Sequence, residues 1–271
     1  MRTTRTAVAT AAALVCLGAL SACGPDDGAE QNVGPSKAAT GPATGSTAAP
    51  ATGPATAPSS GSAKPSAAAP GARDIPAGAW INPRAVPLDS VHHWTAPASS
   101  AKAVGGAPVF KLQELCHSTL SKDNESLGAG QAAAQALLGA GGADQWQAQQ
   151  TLLYQGDPRP SSGVAQSAHA VFRDLRDELK DCARTAPGAT VKVTSPEDAT
   201  YVAATVTVPQ PGGTTVVLHT YLTAPDGTVN ELALWATAKA GAQPKVPWAG
   251  PADAEVAKAM DAPLCATLKD C

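Results

Sequence analysis

The first 79 residues contain no tryptophan, tyrosine or phenylalanine. A folded core therefore belongs to the part of the chain around and beyond Trp80. Nowhere in the 271 residues does G-x-S-x-G occur, which excludes the strained nucleophile turn of that hydrolase class. The glycine patterns G-x-x-x-x-G-K-[ST] and G-x-G-x-x-G are also missing, so no phosphate or dinucleotide cradle is expected. No cysteine pair stands at C-x-x-C spacing, which argues against a zinc site. From Asp74 onward there are 14 Lys and Arg against 19 Asp and Glu, a formal charge of −5. Without a basic cluster, a nucleic-acid partner is excluded. A mildly acidic balance mainly favours solubility. After the N-terminal segment no apolar run approaches the length of a membrane helix. No cofactor is implied.

What is present starts with "MRTTRTAVATAAALVCLGAL". Arg2 and Arg5 precede an apolar stretch from Thr6 to Leu20, shorter than the roughly 20 residues of a membrane span. A positive start, a short apolar core and small residues at its end read as a secretory signal over residues 1–22. The end, Leu20-Ser21-Ala22-Cys23, resembles the bacterial lipobox. The resemblance implies cleavage before Cys23 and acylation of its thiol, with palmitate among the acyl groups. Two or more acyl chains hold a protein at a membrane where one does not. The expected location is the outer face of the cell membrane. An ordinary secretory cleavage beside a chance cysteine is the competing reading.

Residues 23–73 are mostly Ala, Gly, Pro, Ser and Thr, with Val33 as the only branched aliphatic, and "GPAT" occurs at Gly41 and again at Gly53. Such a segment buries too little apolar surface to offset its ordering entropy. It reads as a disordered tether. Residues 74–271 are enough for one cored domain.

Cys16 leaves with the signal and Cys23 takes lipid, so Cys116, Cys182, Cys265 and Cys271 remain. An even number in an exported domain implies disulfides, and four cysteines allow three connectivities. Cys116–Cys182 with Cys265–Cys271 is the preferred pairing. With all four assigned, thiol catalysis is not expected.

Within the domain, the stretch after Asp74 is Pro-rich and reads as an irregular arm pinned by Trp80 and Trp94. "PVFKLQELC" fits a strand or a short helix equally. "GQAAAQALLG" is predicted helical from its alanines. "ADQWQAQQTLLYQGD" alternates as a strand, with Trp146, Ala148, Gln150, Leu152 and Tyr154 on one face. "SSGVAQSAHAVFRDLRDELKDCAR" predicts a helix capped by Ser161 or Ser162. Its stripe is Val164, Ala168, Val171, Phe172, Leu175, Leu179 and Cys182. The intervening charges, Arg176 and Lys180 among them, read as a solvated face. Four β-rich segments follow from Thr190 to Ala238, joined by short turns, and imply an antiparallel meander. "PADAEVAKAMDAPLCATLKDC" reads as a terminal helix. The fold class is α+β, helices packed on an antiparallel sheet.

The order of these pieces carries a family resemblance. A Trp-bearing arm, Cys116, a strand with Trp146 and Tyr154, the helix "VAQSAHAVFRDLRDELKDCA", the strands and the terminal Cys pair follow one another. Over residues 75–271 this resembles the extracellular sensor domain of mycobacterial PknH-type receptor kinases and related actinobacterial lipoproteins. The resemblance implies a sheet with packed helices, two disulfides with Cys116 placed to meet Cys182, and a ligand cleft. This chain has no kinase domain and no transmembrane helix, so signalling through a kinase on the same chain is not expected.

His92, His93, His117, His169 and His219 are the candidate bases. His92 and His93 read as exposed loop residues, His117 as incidental and His169 as a half-buried helix residue. His219 and Tyr221 share the more polar face of one strand and are the candidate cleft residues. The carboxylate pairs Asp123/Glu125 and Glu197/Asp198 fall in polar turns. The expected function is a non-catalytic ligand-binding or sensor-like module, with an unidentified small-molecule or envelope ligand. The alternatives are a structural or interaction protein of the cell envelope, or an exported envelope-modifying enzyme.

Overall fold

The computed structural model describes residues 74–271 apart from Ala140, Ala143, Pro160, Ser161 and Asp270. The signal segment, Cys23 and the tether lie outside the described residues. Seven strands form one antiparallel sheet: β1 (Lys102–Ala103), β2 (Ala132–Gly139), β3 (Gln147–Tyr154), β4 (Thr190–Val193), β5 (Tyr201–Gln210), β6 (Thr214–Thr223) and β7 (Thr228–Lys239). Their order is β1-β2-β3-β7-β6-β5-β4. The last four strands are the meander expected from their short turns. At the β5–β6 turn, Gly212 and Gly213 take φ of 82° and 71°, where a side chain would be strained. The helices are α1 (Asp89–His92), α2 (Pro97–Ser100), α3 (Lys111–Cys116), α4 (Val164–Thr185) and α5 (Asp253–Leu268).

Helix α4 crosses one face of the sheet. Ala168, Val171, Phe172, Leu175, Leu179 and Cys182 are buried, and Val164 is half-buried. They meet Val216, Leu218 and Leu222 of β6 and Val229 and Ala233 of β7. At the start of α4 the N-cap residue is Gly163, and Ser162 lies just outside it, its Oγ accepting from Val164 N at 3.3 Å. The ambiguous "PVFKLQELC" becomes helix α3, where the Gln113 side chain accepts from Phe110 N at 3.2 Å. Cys116 bonds to Cys182, with Cα atoms 4.9 Å apart, tying α3 to α4. Cys265 bonds to Cys271, joining the last turns of α5 to the terminal residue.

The other face is covered too. Helix α5 and the arm pack there, so β7 is buried on both sides. Trp80 and Trp94 pin the arm as expected, each 6 % exposed. A chain of buried amides joins the layers. Ile81 N donates to Gln150 Oε1 at 3.1 Å and Gln150 Nε2 to Asn230 Oδ1 at 3.1 Å. Asn230 Nδ2 then reaches Met260 O at 3.4 Å. Each link satisfies a polar group that burial would otherwise penalise.

One element departs from its prediction. "GQAAAQALLG" is strand β2, not a helix, and pairs with β1 and with β3 from Ala132↔Tyr154 onward. Helix propensity separates ordinary residues by less than about 1 kcal/mol each, and pairing on both edges outweighs it. The alanines serve the sheet through their size. Ala133 packs in the α4 layer, while Ala134 and Ala136 let Trp80 and Leu264 approach the opposite face. Gly139 serves the same end, since a Cβ there would lie 2.7 Å from the Trp94 ring.

Candidate functional site

His219 and Tyr221 do sit side by side on one face of β6, but that face is filled. Trp248, from the segment between β7 and α5, stacks flat on the imidazole, with ring centroids 3.5 Å apart and planes 3° off parallel. Trp146 closes the side at 5.5 Å, held by its Nε1 donating to Val246 O at 2.8 Å. Tyr221 is 3 % exposed. The opening expected at these two residues is therefore occupied by the chain's own indoles. The reason lies far along the sequence: the segment carrying Trp248 folds back over a strand it does not pair with.

Burial lowers the His219 pKa to about 4, with Asp253 opposing the shift. Burial raises the Tyr221 pKa, and the charge of Asp253 and a hydrogen bond to it add to the rise. His219 has a consequence for stability. Below pH 6.5 the unfolded imidazole gains a proton that the folded one refuses until about pH 4. Its contribution is thus present above the unfolded pKa and is lost as pH falls through about 4. Discounted for partial exposure, the loss is on the order of 2 kcal/mol. The variant His219→Phe keeps a ring against Trp248 and should remove this acid-side loss, leaving the opposite slope, with stability falling as pH rises, that Glu231 contributes. Urea unfolding across that pH range reads it out, and an unchanged limb would refute the assignment.

The remaining histidines do not converge. His92 is half-buried and stacked on Trp94 at 4.6 Å, so it is not the exposed loop residue expected. Its pKa is lowered by burial. His93 is exposed, as expected. His117 is exposed and takes a left-handed conformation, φ 52°, that ends α3. His169 is exposed on α4, outside the buried stripe rather than partly within it. Among the described residues no group of three or more His, Cys, Asp or Glu is placed to hold a metal.

A groove does open elsewhere, between α4 and the β4–β5 connection, with a volume of about 530 Å³. Phe172, Arg176, Leu179 and Lys180 of α4 line it. Their spacings of 4, 7 and 8 from Phe172 put them on one helix face. Val202 of β5 forms the opposite wall, with Val193 at the rim, 44 % exposed on edge strand β4. Glu197 reaches the same space. The Arg176 side chain is 38 % exposed, yet its Nε is buried and lacks a hydrogen-bond partner. Its nearest carboxylate, Asp177 on the next residue, stands at 3.5 Å without hydrogen-bond geometry. Lys180 is exposed and forms no ion pair among the described residues.

The sequence reading placed Arg176 and Lys180 on a solvated face and Glu197 in a polar turn, and so missed this groove. A signal was available in the two cations four residues apart, flanking Phe172 and Leu179 at the edge of the apolar stripe. What could not be read was that the β4–β5 connection would form the second wall.

A buried carboxylate was also missed. Glu231 of β7 is fully buried at the start of α3. Its oxygens accept from Lys111 N at 2.6 Å, Leu112 N at 3.0 Å and Thr220 Oγ1 at 3.2 Å. Burial raises its pKa to about 7 against the pull of those donors and of the Lys111 ammonium. All three partners are structural groups, so its evident role is to hold α3 on the sheet. No family model, curated protein or solved structure matches this chain.

Proposed function

We propose that this chain is a protein lipid-anchored to the outer face of the cell membrane, whose domain binds a small ligand without transforming it. The observation that carries the reading is the groove along α4. It has about 530 Å³ of space, walls of mixed polar and apolar side chains, and two cations without a strong partner. The concavity, the volume and the convergent polar groups are features of ligand sites. The rigid frame suits such a role, since the Cys116–Cys182 bond fixes α3 to the helix that bears the cations. Leu20-Ser21-Ala22-Cys23 supports the anchor, and the Ala/Pro-rich tether suits a domain held away from the membrane. The resemblance to PknH-type sensor domains points the same way. Glu231, His219 and Tyr221 are engaged in packing and structural hydrogen bonds.

Two measurements test the reading. Metabolic labelling with an alkyne palmitate analogue should mark the wild-type chain and not Cys23→Ser, and the wild type should sediment with membranes. An unlabelled, freely secreted wild-type chain would overturn the anchor. Native mass spectrometry of the full chain released from envelopes should show a bound small molecule. Absence of one, with no thermal stabilisation by envelope extract, would overturn ligand binding.

A further inference from the structure

We propose that the groove between α4 and the β4–β5 connection binds an amphipathic carboxylate, its carboxylate on Arg176 and Lys180 and its apolar body on Val193 and Pro196 at the rim, above the buried floor of Phe172, Leu179 and Val202. This deepens the proposed function and rests on the domain being a ligand binder.

Arg176 and Lys180 are four residues apart on a helix, so their side chains rise from neighbouring positions about 5–6 Å apart between Cβ atoms. One carboxylate can span both. The buried Arg176 Nε has no hydrogen-bond partner in the folded chain. An unsatisfied buried donor costs about 1–3 kcal/mol, and an acceptor in the groove would remove that cost. The planar guanidinium offers parallel N–H groups that match two carboxylate oxygens, while the Lys180 ammonium adds a point charge. Asp177 does not satisfy the site, because it sits one residue away on the same helix at 3.5 Å.

The charge balance selects the anion. Arg176 and Lys180 are opposed by Glu197 within the same lining. With Asp177 also 3.5 Å from Arg176 Nε, the two cations carry no surplus of positive charge, which disfavours a dianionic phosphate facing Glu197 more than a monoanion. Val193, 44 % exposed, and the exposed Pro196 give the ligand's body an apolar wall, and Phe172, Leu179 and Val202 close the floor beneath it. The volume falls within the range of small-molecule sites.

The test titrates the full chain, carried in lipid nanodiscs, with octanoate by calorimetry, using empty nanodiscs as blank. Octanol, octylammonium and octyl phosphate are the comparison arms. Octanoate should bind at least about 10-fold tighter than octanol, the worth of a charge-assisted hydrogen bond. Octylammonium should not bind, and octyl phosphate should bind more weakly than octanoate. Arg176→Gln and Lys180→Gln should each weaken octanoate about 10-fold without lowering the melting temperature, since the first removes an unpartnered buried donor and the second an exposed side chain. Arg176→Lys should recover only part of the loss. Glu197→Gln should narrow the gap between octanoate and octyl phosphate. Octanoate binding that survives the Arg176→Gln/Lys180→Gln double change would overturn the proposal. So would a preference for octyl phosphate, equal binding of octylammonium, or no octanoate binding at all. If the envelope-derived chain carries a different, non-anionic molecule, the ligand-binding reading stands and this assignment falls. If neither that molecule nor octanoate is found, both fall.

Discussion

Glu231→Leu is expected to destabilise the domain by about 3 kcal/mol, because it strands two backbone amides and a hydroxyl in the core. The Glu231 carboxylate receives Lys111 N, Leu112 N and Thr220 Oγ1, so it does for α3 what a capping side chain does from within a helix. A leucine removes the acceptor and leaves the donors out of reach of water. Glu231→Gln keeps one acceptor oxygen but turns an NH₂ toward a donor, and should cost about 1–2 kcal/mol. The two variants also differ from the parent in pH response. The folded carboxyl holds its proton to about pH 7, whereas the unfolded one ionises near 4.5. The Glu231 contribution is therefore fully present below the unfolded pKa and is lost as pH rises through about 7. Over that interval the wild type should lose stability on the order of 3 kcal/mol from this group. His219 acts in the opposite direction over much of the same interval, so the parent curve is flatter than either contribution. Glu231→Gln should expose the His219 slope alone, with stability rising from pH 4 toward neutrality. Guanidinium unfolding of the full chain at stepped pH measures both effects. A pH profile for Glu231→Gln that parallels the wild type would refute this account of Glu231.

Removing the Cys116–Cys182 bond should cost more still, about 4 kcal/mol, since it releases a loop with a sequence separation of 66. Cys265–Cys271, with a separation of 6, should be worth about 2 kcal/mol by the same chain-entropy reasoning. Paired alanine replacements, unfolded in denaturant, give the two values. Accessibility makes a further distinction. Cys116 and Cys182 are fully buried, whereas Cys265 is half-buried and Cys271 exposed. A small phosphine added to the native protein should free the C-terminal thiols first. The inner pair should become alkylatable only when α3 and α4 separate. Under native conditions, alkylation of Cys116 ahead of Cys271 would contradict the structure. The inner bond also bears on the groove, because α4 carries Phe172, Arg176, Leu179 and Lys180. Loss of the bond should therefore weaken octanoate binding as well as stability.

Much of this architecture could be read from periodicity. The α4 stripe, the alternation of β3 and the four-strand meander all rest on local patterns of 3.6 and 2 residues, which burial on a face enforces. The four cysteines from Cys116 onward led to the pairing that the structure displays. Strand β2 was misread because alanine's intrinsic preference is a local quantity. Its partners, Lys102–Ala103 and Gln147–Tyr154, lie outside any local window. The polar face of β6 was misread for a related reason. Alternation distinguishes two faces of a strand, but it does not reveal that α5 and the Trp248 segment cover the second one.

Composition and short-range pattern were thus enough for the class of fold, the anchor motif as an expectation and the inventory of thiols. These depend on residues a few positions apart. The site was settled by contacts between remote parts of the chain. Glu231 meets Lys111 across 120 residues, and Trp248 closes over His219. Arg176 and Lys180 become a binding surface only because the β4–β5 connection stands opposite them. Such contacts follow from how whole layers stack, and a charge on a helix face carries no local mark of what will pack beside it.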